Sequence, residues 1–287
     1  MHFVKAKGIL SARNGMNIYR GCSHGCIYCD SRSKCYQINH DFEDIEVKEN
    51  AIELLESKLI SKRKKCMIST GSMCDPYMHI EKQLEMTKKA LEVIYKHGFG
   101  AAVITKSDMV LRDLELFKKI NKKAKAVVQM TLTTYDDELC KILEPHVSVT
   151  SERVKALEVF KDNDIPTVVW FSPMLPFIND TMENVKGIMD YCVKAKVKGI
   201  ICFGIGLTLR EGNRQYFYEK LDEHFPGYKE IYIKKFGTSY EIGSPKSNEL
   251  WGYIKRVCEE NNIMINPDEV FAYLNHLPDK NQQLTLF

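Results

Sequence analysis

"GAAVITKSDMVLRDLELFKKINKKAKAVVQMTLTT", residues 100 to 134, carries the pattern from which the architecture follows. Its ends, GAAVITKS (100 to 107) and KAVVQMTLTT (125 to 134), are short runs of small, apolar and β-branched residues that read as buried strands. Between them LRDLELFKKINKKA repeats its apolar residues at helical spacing. A strand, a helix and a second strand at this separation imply a right-handed crossover and a parallel sheet covered on both faces. The alternation continues outward in both directions. ENAIELLESKLISKRKK predicts a helix and CMISTGS (66 to 72) a strand, while EKQLEMTKKALEVIYKHG predicts one helix stopped by Gly98. SERVKALEVFKDND predicts a helix capped by Ser151, leading through Pro166 into the strand TVVWFSPML. TMENVKGIMDYCVKA and VKGIICFGIG supply a further helix and strand. About six such units make an α/β fold in which the sheet curls into a full or partial (β/α)6 TIM-type barrel, with reactive groups at the carboxyl ends of its strands. From Phe225 the rhythm changes, which predicts a barrel over 1–224 and a C-terminal extension over 225–287 packed on it.

Composition bounds the function. With 44% hydrophobic residues, the 287-residue chain has ample material for a core. A net charge of +3, from 41 basic and 38 acidic residues, is too balanced to announce a nucleic-acid binder. Ten cysteines without a pairing rhythm read as reduced thiols, and so as a cytoplasmic location. No apolar window approaches the roughly 20 residues that span a bilayer, so no membrane is expected.

Chemistry concentrates in RGCSHGCIYCD, residues 20 to 30, inside a loop at 20–35. Cys22, Cys26 and Cys29 can converge on one metal centre, and Gly21 and Gly25 let the loop wrap tightly. A structural zinc with His24 or Cys35 as fourth ligand is one reading, which would make the chain a non-catalytic zinc-stabilised binding protein. The other is an iron–sulfur cluster held by three thiolates, with one iron left open for chemistry. After the second strand, Cys74 stands beside Asp75, His79 and Glu81, which could recognise a polar substrate. Beyond the sixth strand, Gly204 and Gly206 mark a close approach of ligand or backbone, followed by Arg210, Glu211 and Asn213 at the mouth. Glu211 and Asn213 are also suited to cap the next helix.

The C-x3-C-x2-C pattern, with Tyr28 before the last cysteine, resembles the cluster motif of radical S-adenosylmethionine enzymes. STGSMCDPY...E (69 to 81), ITKS (104 to 107), TLTTYDDELCKILEP (131 to 145), SERVKAL (151 to 157) and SPMLPFIND (172 to 180) are similar in order and spacing to the spore photoproduct lyase branch. The resemblance implies a [4Fe–4S] cluster on Cys22, Cys26 and Cys29, with S-adenosylmethionine cleaved reductively to a 5'-deoxyadenosyl radical. It assigns Lys106 and Arg153 to the S-adenosylmethionine carboxylate, Ser72 to its amino end, Thr131 and Thr133 to the ribose side, and Tyr28 and Ser172 to the same cofactor. Cys74 would be the hydrogen donor, although Met73 aligns directly with the branch's cysteine. Asp75, Glu81, Arg210, Glu211 and Asn213 would meet the substrate.

GLTLREGNR and FGTSYEIGSP look like the group containing queuine lyase, which implies a lyase that releases 7-aminomethyl-7-deazaguanine from queuine in a salvage route. The alternative is a DNA photolesion lyase, favoured by the final QLTLF (283 to 287), which resembles a sliding-clamp docking tail. On the queuine reading the partners would be a deazapurine base and an electron donor such as flavodoxin or ferredoxin, and the QLTLF tail would add a sliding-clamp contact.

Overall fold

The computed structural model describes residues 1–71 and 73–279. Eleven strands are present among them: β1 (His2–Val4), β2 (Gly15–Met16), β3 (Tyr19–Arg20), β4 (Glu46–Lys48), β5 (Met67–Thr70), β6 (Gly100–Thr105), β7 (Ala126–Thr131), β8 (Thr167–Trp170), β9 (Gly199–Ile201), β10 (Gly206–Thr208) and β11 (Glu241–Gly243). Six of them form one parallel sheet in the order β2-β5-β6-β7-β8-β9, with helices in the crossovers, so the fold is α/β and the barrel is partial. A second sheet, β1-β4-β3, carries the chain into the thiol loop.

The two-residue period of a strand divides the sheet into an outer and an inner face. Ala101, Val103, Val128, Met130, Val169 and Ile200 belong to the large core under the outer helices. Met67, Ala102, Val127, Val168 and Ile201 point the other way and pack on Val270 and Leu274. The helix Pro267–Asn275, the last among the described residues, therefore plugs the lumen. Lys125 fastens it by donating from Nζ to the carbonyls of Tyr273 and His276. The extension is also continuous with the barrel through β11, which pairs antiparallel with β10, and through the Ser247–Glu260 helix, whose Leu250, Ile254 and Cys258 join the main core. Gly206 is required there because a Cβ would lie 2.1 Å from the Ile242 carbonyl oxygen. Its close approach is to backbone.

Two helix expectations need correction. The helix predicted over 81–98 is broken at Glu85, whose left-handed backbone (φ 50°) separates Glu81–Leu84 from Met86–Lys96. Ser151 is not a cap: the helix runs Thr150–Asp162, and the Ser151 hydroxyl donates to Asp137. Among the described residues no helix is long and apolar enough to cross a membrane.

Candidate active site

The carboxyl ends of the strands and the thiol loop enclose one recess of about 650 Å³. That volume suits small-molecule ligands. Continuing the inner-face alternation past each strand places Lys106, Thr131 and Ser172 in the top layer of the lumen, where all three line the recess. Trp170 and Phe203 form an aromatic wall, with ring centroids 6.0 Å apart, and Glu241 stands on the same rim. Sequence reasoning passed over these three, although Trp170 has the same inward parity as Lys106.

The thiol loop is held by backbone. The Cys22 N–H donates to the Phe42 carbonyl at 2.9 Å, Ile27 to Leu143 at 3.0 Å, and His146 to the His24 carbonyl at 3.1 Å. Gly21 has φ 84°, and a Cβ there would lie 2.5 Å from the Phe42 oxygen that receives the Cys22 amide. The Tyr28 hydroxyl donates to Glu144, leaving its ring on the recess with Lys106 Nζ 5.7 Å from the ring centroid.

Cys22, Cys26 and Cys29 all line the recess. Burial pushes the Cys26 thiol up to about 12, and burial together with Cys29 and Cys26 raises Cys22. A cationic metal centre would reverse that cost. A single tetrahedral zinc with 2.3 Å bonds would hold its sulfurs about 3.8 Å apart. Among the described residues, however, the group of three potential ligands whose atoms lie within 4.8 Å of one another is His2, His40 and Glu46, and no cysteine set qualifies. Thiols more widely spaced suit a cluster that gives each sulfur its own iron. Nor is the loop closed by a fourth ligand: Cys35 is exposed and accepts from Arg210, and buried His24 sits 3.6 Å from Asp75. Burial, assisted by Lys106, drives His24 down to about 4 even though Asp75 opposes it.

Lys106 is the cation that faces the recess. Burial opposes its charge, but Cys26, Glu144 and Cys29 more than offset this and raise its pKa. Asp75 is shaped from behind, accepting from the Thr105 hydroxyl (2.6 Å) and the Lys106 amide (2.7 Å). Cys74 lines the recess, donates from Sγ to the Tyr19 carbonyl at 2.9 Å, and has its thiol pushed up to about 12 by burial and Asp75.

Several expected contacts are not made. Arg153 is fully buried and pairs with Glu144 at 2.5 Å. It also donates to the Ser148 and Thr131 carbonyls and to Cys140 Sγ, so its guanidinium is spent inside the protein. Glu81 is likewise buried, taken up by Tyr19, the Thr87 amide and Arg112. Thr133 lies past the strand end and does not line the recess; its carbonyl accepts from Asn179 and Asn184, while its buried hydroxyl has no hydrogen-bond partner among the described residues. Asn213 holds the 208–213 turn through the Arg210 amide and the Thr208 carbonyl. Glu211 pairs with Lys34 on the surface, and Arg210 bonds Tyr240 and Cys35 at the rim without lining the recess. Ser72 and the tail 283–287 lie outside the described residues.

A parallel partial barrel whose strand ends face a loop of three cluster-competent thiols defines an iron–sulfur protein with a nucleotide-sized recess. The chain belongs to the Radical SAM superfamily, which matches residues 16–192. Members bind a [4Fe–4S] cluster and S-adenosylmethionine, and this chain takes the same cofactors, with Cys22, Cys26 and Cys29 as the thiols that fit the cluster. An uncharacterized protein of Methanocaldococcus jannaschii is 33% identical over 174 residues, 60% of this chain and 64% of that protein. The chain thus spans less than two thirds of that relative. An uncharacterized protein of Mycobacterium tuberculosis is 25% identical over 233 residues, 78% of this chain and 68% of that one. Among solved structures, spore photoproduct lyase complexed with dinucleoside spore photoproduct shares the fold at TM-score 0.63 and 13% identity, covering 86% of this chain and 74% of its own. A radical S-adenosylmethionine methyltransferase from Kitasatospora setae, with cobalamin and a [4Fe–4S] cluster bound, shares it at TM-score 0.59 and 13% identity over 88% and 54%.

Proposed function

We propose that this protein is a lyase acting on a small modified base, with queuine, cleaved to 7-aminomethyl-7-deazaguanine, as its substrate. The observation that carries this reading is the composition of the recess beyond the thiol loop. Trp170 and Phe203 offer stacking faces for a planar heterocycle, while Asp75 and Glu241 supply carboxylates for a cationic amine. The bound cluster and S-adenosylmethionine would supply one-electron cleavage and hydrogen-atom abstraction. In this reading Lys106 binds the S-adenosylmethionine carboxylate, Thr131 and Ser172 orient its ribose side, and Tyr28 supports the adenine. Asp75 keeps the Lys106 segment in place through its amide. Cys74, kept protonated by burial, faces the same space and is suited to return a hydrogen atom. The plug helix closes the lumen from below.

The test is anaerobic incubation of reconstituted protein with queuine, S-adenosylmethionine and a reductant, with flavodoxin or ferredoxin as alternative donors. Mass spectrometry should show the deazaguanine base and 5'-deoxyadenosine, with Cys74→Ala altering the product distribution. Intact queuine alongside cleavage of a dinucleoside photolesion would instead establish the DNA repair reading, which the shared fold favours.

A further inference from the structure

Away from the recess, β1 and β4 run parallel with His2 opposite Glu46, and the chain leaving the thiol loop returns His40 to the same place. The His2 and His40 rings meet edge to face with centroids 4.9 Å apart. One ligand atom from each of His2, His40 and Glu46 lies within 4.8 Å of the others. The surroundings decide what these atoms are free to do. His2 Nδ1 lies 2.9 Å from an Asp44 carboxylate oxygen, and His40 Nδ1 lies 2.9 Å from the Asp41 carbonyl. Both partners accept only, so each Nδ1 is the donor and, in the neutral imidazole, each Nε2 is the nitrogen that offers a lone pair. This is the outer-shell arrangement by which proteins fix metal-binding imidazoles. His40 Nε2 is buried and has no hydrogen-bond partner, while His2 Nε2 stands 4.0 Å from Glu46 Oε2, too far for a hydrogen bond. The nearby Arg20 guanidinium does not answer Glu46, because it donates to the Tyr36 and Gln37 carbonyls.

We infer that His2, His40 and Glu46 bind a divalent zinc ion, separate from the cluster, that braces the thiol loop from behind. Two imidazole nitrogens and one carboxylate oxygen are a donor set for zinc or another first-row transition ion rather than for calcium or magnesium. The role follows from the neighbours. The His40 ring lies against Gly21, its Cε1 3.6 Å from where a Cβ would stand. Two residues further on, the Phe42 carbonyl receives the Cys22 amide. An ion joining His40 to β1 and β4 fixes the segment on which the first cluster cysteine hangs.

The experiment measures zinc and iron by mass spectrometry in full-length, anaerobically reconstituted protein equilibrated with zinc sulfate and desalted. Wild type should retain about one zinc per chain in addition to its iron. His40→Ala and the near-isosteric Glu46→Gln should each weaken zinc retention at least about tenfold while iron is kept. Combined replacement of Cys22, Cys26 and Cys29 by alanine should abolish iron and keep zinc. Cobalt added to that triple variant should give visible ligand-field bands without thiolate charge transfer. The inference is overturned by wild type that retains no zinc, by zinc that survives both ligand variants, or by zinc that disappears with the cysteines. Should His40→Ala misfold, Glu46→Gln and the cobalt spectrum still decide the matter.

Discussion

Replacing Arg153 with methionine separates two roles for this cation, a ligand of S-adenosylmethionine and an internal strut. Its side chain and that of Glu144 are both 0% exposed and joined at 2.5 Å, and three further donations go to Ser148, Thr131 and Cys140. Removing the guanidinium strands a buried carboxylate with the Tyr28 hydroxyl as its remaining hydrogen-bond donor of substance. Breaking one partner of a buried pair costs about 3–5 kcal/mol. At roughly 2–4 °C per kcal/mol for a chain of this order of size, the melting temperature should fall by roughly 6–20 °C. Replacing Glu144 as well removes the stranded charge, so Arg153→Met combined with Glu144→Met should regain most of the loss. S-adenosylmethionine affinity, measured by calorimetry well below the melting point, should change less than about threefold, since no nitrogen of Arg153 faces the recess. A single variant that melts like wild type but loses S-adenosylmethionine binding tenfold would show that Arg153 is a ligand of the cofactor instead of an internal strut.

Three more outcomes are expected. Lys106→Met removes the cation that lines the recess while leaving the amide bonded to Asp75. Loss of a charged hydrogen bond, about 1.5–3 kcal/mol, should weaken S-adenosylmethionine binding by roughly 10- to 150-fold in equilibrium dialysis with little change in melting. Phe203 is 65% exposed but meets the Trp170 and Phe271 rings, so Phe203→Ser should cost about 1 kcal/mol of stability yet raise KM for the proposed base without changing kcat. Burial pushes the Glu144 carboxyl up, but Arg153, Lys106 and Tyr28 prevail and hold it below its ordinary 4.5. The unfolded chain therefore binds more protons as pH falls below that value, and the stability present at neutral pH is lost through the acid range. Chemical denaturation across pH 3 to 7 should show a shallower loss for the Arg153→Met, Glu144→Met pair, and equal slopes would contradict the assignment.

Much of the site was legible because its placement follows chain-local rules. The strands at 66–72, 100–107, 125–134 and 167–175 were readable from apolar runs; Lys106, Thr131 and Ser172 were named from the family resemblance, and the two-residue period along those strands accounts for their place at the lumen. The same period reaches Trp170, which the reading of that strand left unused. The internal partners of Arg153 and Glu81 were not legible, for the opposite reason. Each has the residue type of a ligand contact, and each is consumed by partners distant in sequence or on neighbouring elements, Glu144 for the first and Tyr19 and Arg112 for the second.

The order of residues along the chain is enough to set the alternation of strand and helix, hence the parallel sheet, and the three closely spaced thiols, hence the metal chemistry. Both are local properties, set by side-chain periodicity and by spacing along a short loop. Folding in three dimensions settles which charged groups face the recess, that the Pro267–Asn275 helix plugs the lumen, and that His2, His40 and Glu46 share one spot behind the thiols. Those facts depend on pairings across long stretches of chain. Which of two chemically similar side chains keeps its charge free is settled by the partner that folding brings to it, and residue type alone does not encode that partner.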